Sequence, residues 1–295
     1  MSVYSGATGS FLFELDPPGP QVGTGFGASL ATGDVNGDGV ADIIVTAPQE
    51  STAGGGVGRV YVFSGTTHAI LYSFSTPSDF ILGPGALAVS TGDVNEGGKV
   101  DIIVGEGGIQ ARVLAFSGAD GALLYTLTSP NPETGGDFGS ATAVADVNGD
   151  GKGDIIVGAD KETVSGSASQ GRAYVFSGAD GTLLTTLVPP DEQSTPMSFG
   201  QSLAVGDIHA DGRLDIAVGA PGATVSGHPS SGAMNVYDGT TANQLLSASN
   251  PWPQPQGLFG RVVALADINH DGKAEAIAGG NGDHRSDCNW RCDEG

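Results

Sequence analysis

Runs of three to five apolar residues, bounded by glycine, serine or acidic positions, recur along the chain at lengths that suit strands and not helices. One set comprises Ile43 to Val45, Ile102 to Val104, Ile155 to Val157, Ile216 to Val218 and, more weakly, Ala276 to Ala278. A continuous apolar run of this kind predicts a strand covered on both faces. Before each lies a strand of small residues, such as Ala28 to Thr32 or Ser140 to Ala145. After each, beyond a polar Gly/Ser loop, comes a third strand: Arg59 to Phe63, Arg112 to Phe116, Arg172 to Phe176 and Ala233 to Tyr237. These close on Ser64-Gly65, Ser117-Gly118, Ser177-Gly178 and Asp238-Gly239, turn pairs that lead into a fourth strand. The fourth strands are Ile70 to Phe74, Leu123 to Leu127, Leu183 to Leu187 and Leu245 to Ala248.

A unit of four antiparallel strands repeated about five times predicts an all-β fold, a β-propeller with one blade per repeat. A parallel β-helix needs much shorter coils, and a leucine-rich repeat needs a Leu/Asn ladder; the sequence has neither. At the amino terminus, Val3 to Gly6 and Phe11 to Leu15 match the third and fourth strands of a blade, whereas the fifth repeat stops after its second. The expectation is a propeller over residues 1–282, the amino-terminal strands completing the last blade, and an irregular tail over 283–295. Two forms fit: a closed five-bladed ring, or a fragment of a larger ring.

Between the first and second strand of each repeat stands a nine-residue acidic loop: Asp34 to Asp42, Asp93 to Asp101, Asp146 to Asp154, Asp207 to Asp215 and Asp267 to Glu275. Their first residues lie 59, 53, 61 and 60 positions apart. In the pattern D-x-N-x-D-G-x-x-D, positions one, three, five and nine direct oxygens at one centre, position seven offers its carbonyl, and Gly at six permits the sharp turn. This is hard-cation chemistry, and Ca²⁺ is the expected ion. Loop one supplies Asp34, Asn36, Asp38, Asp42 and the carbonyl of Val40; loop three supplies Asp146, Asn148, Asp150, Asp154 and that of Lys152. Loop five supplies Asp267, Asn269, Asp271, Glu275 and Lys273, with the longer Glu reaching differently. Loop four keeps Asp207, Asp211 and Asp215 but has His209 at position three, a nitrogen poorly suited to Ca²⁺. Loop two keeps Asp93, Asn95 and Asp101 but has Gly97 at position five, and weak or no binding is expected there. An EF-hand needs an acid at position twelve and flanking helices, and here positions ten to twelve are strand. Simple hairpin turns would not call for Asp at position nine.

Around these loops the sequence resembles the FG-GAP repeat, the unit of the integrin α-subunit propeller. Phe26-Gly27, Phe138-Gly139, Phe199-Gly200 and Phe259-Gly260 each lie eight residues before a loop, where that family has its Phe-Gly. Gly219-Ala220-Pro221 is a full Gly-Ala-Pro; Thr46-Ala47-Pro48 and Gly158-Ala159-Asp160 differ by one residue. Repeat two departs most, with Gly85-Ala86 for Phe-Gly and Gly105-Glu106-Gly107 for Gly-Ala-Pro. The integrin-type ring has seven repeats, against five here. The resemblance implies a calcium-binding extracellular module for adhesion or ligand binding, with no catalysis of its own. The alternative is a carbohydrate-binding propeller or an accessory domain of a secreted hydrolase or lyase.

Composition sharpens this picture. The net charge of -22 and only 11 Lys and Arg argue against nucleic acid as partner, and against anionic membranes. Fifteen of the 33 acids sit in the five loops, so folding is expected to be coupled to metal. No apolar stretch is long enough for a transmembrane helix, so no membrane insertion is expected. The amino terminus lacks the features of a signal peptide; with so few cysteines, the expectation is a segment of a longer extracellular or cell-surface protein whose partner is a protein or glycan. Cys288 and Cys292 form a local disulfide or metal clip, or lie in a flexible terminus. The five histidines share no catalytic spacing with Ser or Cys. The polar loops Gln49 to Gly58, Lys161 to Gly171 and Gly222 to Gly232 are either a binding face or solvated connectors, and Trp252 is expected packed beneath its proline loop.

Overall fold

A computed structural model describes residues 1–19, 23–51, 57–75, 87–107, 111–190 and 195–280. The short amino-terminal strands β1 (Ser2–Tyr4) and β2 (Phe11–Glu14) pair with each other. Four complete sheets follow. The first contains β3 (Leu30–Gly33), β4 (Asp42–Ser51), β5 (Val57–Phe63) and β6 (Ile70–Ser75). The second contains β7 (Leu87–Gly92), β8 (Asp101–Glu106), β9 (Arg112–Phe116) and β10 (Leu123–Thr128). The third contains β11 (Phe138–Ala145), β12 (Asp154–Ala159), β13 (Arg172–Phe176) and β14 (Leu183–Leu187). The fourth contains β15 (Ser202–Gly206), β16 (Asp215–Ala220), β17 (Ala233–Tyr237) and β18 (Gln244–Ser249). Last comes the pair β19 (Val262–Ala266) and β20 (Glu275–Gly279). Within each sheet, strands pair antiparallel in chain order.

The inner strands β3, β7, β11, β15 and β19 are neighbours in that order, so the sheets succeed one another as propeller blades. The apolar run of every second strand has a physical reason here. Alternate residues of β12 face opposite neighbours: Ile155 and Val157 join the cluster shared with the second blade, and Ile156 joins the one shared with the fourth. In β8, Ile102 and Val104 face the first blade and Ile103 faces the third. Such a strand has no polar face to present to water, which is why its sequence does not alternate.

Pair β1–β2 packs on the first blade, where Leu15 and Phe13 join Val45, Tyr61 and Phe63, and His68 stacks on Phe13 at 3.6 Å. Among the described residues it is a two-stranded sheet of its own, as is β19–β20. Among the described residues, Val262, Ile268 and Ile277 of this last sheet and its loop are exposed. The tail with Cys288 and Cys292, and the Gly85-Ala86 variant, lie outside the described residues.

Candidate metal centre

Each acidic loop joins the first strand of a blade to its second, and position nine is the first residue of that second strand. Strand pairing therefore fixes one carboxylate at the mouth of the sheet. In blades one to three, Asp42, Asp101 and Asp154 are buried. Asp154 accepts hydrogen bonds from the backbone N–H of Val147 (3.1 Å), Asn148 (3.1 Å) and Gly178 (3.2 Å). Asp42 accepts from Val35 and Gly65 in the same way, and Asp101 from Val94 and Gly118. One side chain thus ties the start of the loop to the turn between the third and fourth strands. Burial pushes the Asp101 and Asp154 carboxyls above the usual range, against the pull of these donors.

Position one braces the loop. Asp34 accepts from the N–H groups of Gly37 (2.7 Å), Asp38 (3.1 Å) and Gly39 (2.8 Å), and the bond from Gly39 leads in holding its carboxyl below the usual range. Asp146 repeats the arrangement with Gly149, Asp150 and Gly151. Position three lies between positions five and nine: Asn36 Nδ2 is 3.2 Å from both Asp38 Oδ2 and Asp42 Oδ1. The corresponding distances for Asn148 are 3.1 and 3.2 Å, and for Asn269 they are 3.1 and 2.6 Å to Asp271 and Glu275. A half-turn of the amide presents Oδ1 to the same gap, which then carries oxygen from three side chains. Those hard donors suit Ca²⁺. In loop five the carboxylates of Asp267, Asp271 and Glu275 also come within 4.8 Å of one another. Val40, Lys152 and Lys273 donate their N–H groups to the position-five Asp, which places each at the rim of its loop.

Loop two keeps Asp93, Asn95 and Asp101 together, with Asn95 Nδ2 at 3.3 Å from Asp101 Oδ1. Gly97 brings only its backbone N–H, which donates to Asp93 and Asn95. In loop four, His209 Nδ1 is 2.9 Å from Asp215 Oδ2 and Nε2 is 3.1 Å from Asp211 Oδ2. The bond to Asp215 raises the basicity of the imidazole.

Two features of the loops are absent from the sequence reading. Position two is apolar and reaches the interface with the following blade: Val35 lies in the cluster containing Ile102, Val94 in that of Ile155, and Val147 in that of Ile216. The alternation D-V/I-N carried that signal. Neighbouring loops are also joined through backbone: Asp34 O accepts from Val100 N (3.1 Å), Asp93 O from Gly153 N (2.8 Å) and Asp207 O from Ala274 N (2.7 Å). Backbone pairing of this kind leaves no mark in side-chain identity.

At the opposite end of the second strands sit buried acids paired with the Arg that opens the third strand. Glu106 meets Arg112 at 2.7 Å, and Glu162 meets Arg172 at 3.1 Å and the Tyr174 hydroxyl at 2.5 Å. Glu50 accepts from Tyr61 at 2.7 Å and pairs with Arg59. The loops there are clasps more than free surface: Gly171 bridges Phe199, Gly232 bridges Phe259, and Phe199 N donates to Gln170 O at 2.9 Å. Residues 52–56 of the corresponding first loop lie outside the described set. Trp252, expected in a packed position, is 66% exposed.

Asp160 follows β12 and is 3% exposed. Burial raises its carboxyl, with the Asp137 charge adding to the effect. A folded-state value above the unfolded one means the fold binds this proton more tightly, so the residue's contribution to stability falls as pH rises from the unfolded value through the folded one. Asp160→Asn should therefore melt higher than the parent at neutral pH, with the gap closing in acid. Melting curves across that range test it, and a gap independent of pH would contradict it.

Residues 26–63, 138–176 and 199–236 match the family model of the FG-GAP repeat. The chain is 32% identical over 153 residues to phosphatidylinositol-glycan-specific phospholipase D of Bos taurus, covering 48% of this chain and 18% of that protein. It is 38% identical over 164 residues to integrin alpha-IIb of Mus musculus, covering 49% and 15%, and 31% identical over 224 residues to integrin alpha pat-2 of Caenorhabditis briggsae, covering 66% and 18%. It thus spans less than a fifth of each relative. A solved structure titled "Structure of Dos1 propeller" aligns at a TM-score of 0.45 and 14% identity, over 76% of this chain and 47% of the other.

Proposed function

The chain is an FG-GAP repeat protein with repeats of the integrin α type, and from that premise we propose that it is a calcium-braced extracellular module for adhesion or ligand binding, non-catalytic in itself. One observation supports this reading most directly. The oxygen-donor loops of blades one, three and five share a single geometry, and each is anchored both to its own sheet and to a neighbouring blade or loop. An ion held there draws together the loop, the sheet mouth and the blade interface, so its binding energy becomes folding energy. Ca²⁺ is expected to bind most tightly in loops one, three and five, and a protein or glycan partner then meets a rigid face.

Calorimetric titration of the chelator-stripped protein with Ca²⁺, paired with melts at both extremes, tests the reading. About three to five sites are expected, each adding about 2.7 kcal/mol at a hundredfold excess over its Kd. The absence of both heat and stabilisation would leave the loops as hairpin turns. The exposed Trp252, beside Asn250 and Gln254, favours a second reading, a glycan-binding surface or the accessory part of a secreted hydrolase or lyase. A glycan array with and without chelator separates the two, and Trp252→Ala should abolish any signal that belongs to this surface.

A further inference from the structure

Blade four departs from the other blades at two positions at once. His209 stands where loops one, two, three and five carry Asn, and Asp238 stands where the turns of blades one to three carry Ser64, Ser117 and Ser177. The two replacements meet in space. His209 Nε2 lies 3.1 Å from Asp211 Oδ2 and 3.9 Å from Asp238 Oδ2, and ligand atoms of all three residues lie within 4.8 Å of one another. The other ring nitrogen, Nδ1, lies 2.9 Å from Asp215 Oδ2. A carboxylate accepting from Nδ1–H fixes the tautomer and turns the Nε2 lone pair outward, the device by which proteins orient a metal-binding histidine.

A second observation points the same way. In blades one to three the Oδ1 atom of the position-nine Asp accepts from the N–H of the turn glycine. Asp215 is 1% exposed, yet its Oδ1 has no hydrogen-bond partner. A buried carboxylate with one oxygen unmatched, beside an imidazole and two more carboxylates, lacks positive charge.

We propose that blade four holds a borderline transition ion, of which Zn²⁺ is the representative, bound by His209 Nε2, Asp211 and Asp238 with Asp215 orienting the imidazole. Nitrogen is a poor donor to Ca²⁺ and a good one to Zn²⁺. With bonds of about 2.1 Å, ligand atoms around a tetrahedral ion stand about 3.4 Å apart, a spacing that 3.1 and 3.9 Å bracket. The side chains of His209 and Asp211 are 35% and 42% exposed, which leaves room for water as the fourth ligand. This refines the calcium reading for one blade alone.

The test is a Zn²⁺ titration of the full chain in saturating Ca²⁺, in a Cys288→Ser/Cys292→Ser background, because thiolates are zinc ligands and would compete with the site. One equivalent of Zn²⁺ should bind without displacing Ca²⁺. His209→Asn, which restores the Asn of the other loops, should remove that step, and Asp238→Ser, which restores their Ser, should weaken it by at least about tenfold. The Ca²⁺ titration of both variants should match the parent in loops one, three and five, so failure of the zinc step is distinguishable from failure of the calcium reading. A zinc step that is absent from the parent, or unchanged in both variants, would overturn the inference.

Discussion

Asp154→Ala should cost about 3–5 kcal/mol of unfolding free energy, in chelator as well as in calcium. The carboxylate is fully buried and is the acceptor that joins two separate pieces: the loop start, through the backbone of Val147 and Asn148 and the side-chain amide of Asn148, and the turn at Gly178. Alanine keeps the strand but leaves the buried N–H groups of Val147 and Gly178 unmatched, and each buried donor left unmatched costs about 1–3 kcal/mol. The effect does not depend on a metal, because the acceptor role is filled by hydrogen bonds alone. In calcium the loss should be larger, since the same side chain is a ligand in the proposed site. Urea unfolding in both conditions measures it; a loss in chelator under about 1 kcal/mol would show that the hydrogen bonds at the mouth of the sheet contribute little. Glu275→Ala should do less, because Glu275 holds the equivalent place in β19–β20 and its bonds to Ile268 and Asn269 are exposed among the described residues.

The strands were legible because burial on both faces imposes a continuous apolar run, which the second strand of each blade carries and the third strands β9 and β13 carry as well. Third strands β9, β13 and β17 begin and end at the expected residues, since Arg or Ala opens each and a glycine turn closes it. The loops were equally legible as units, because one acidic pattern repeated at one spacing constrains identity at several positions together. The buried acids were less so. Arg59, Arg112 and Arg172 repeat at the head of the third strand, but the partners Glu50, Glu106 and Glu162 precede them by 9, 6 and 10 positions, so no fixed spacing links the pair. The loop-to-loop backbone bonds could not be read at all.

The Phe-Gly and Gly-Ala-Pro elements lie on either side of one joint, and this gives the second large expectation. Gly200 has φ of +95°, a conformation that side chains with a Cβ rarely adopt, and from there its carbonyl points at the preceding blade. A Cβ on Gly158 would stand 2.0 Å from that oxygen. The same approach recurs between Gly105 and the carbonyl of Gly139 at 2.2 Å, and between Gly219 and that of Gly260 at 2.0 Å. The family signature is thus the footprint of two backbones passing without room for a methyl group. Gly158→Ala must push the third and fourth blades apart, since neither obstacle is a flexible side chain, and should destabilise by about 3 kcal/mol, at the upper end of overpacking costs. Gly6→Ala, whose Cβ meets nothing within 4 Å, should stay within about 0.5 kcal/mol of the parent. Equal melting temperatures for the two variants would mean that the blades slide freely at this joint. A large loss confined to Gly158→Ala would place the rigidity of the array in these backbone contacts, where the acidic loops at the far end of the same strands cannot compensate for it.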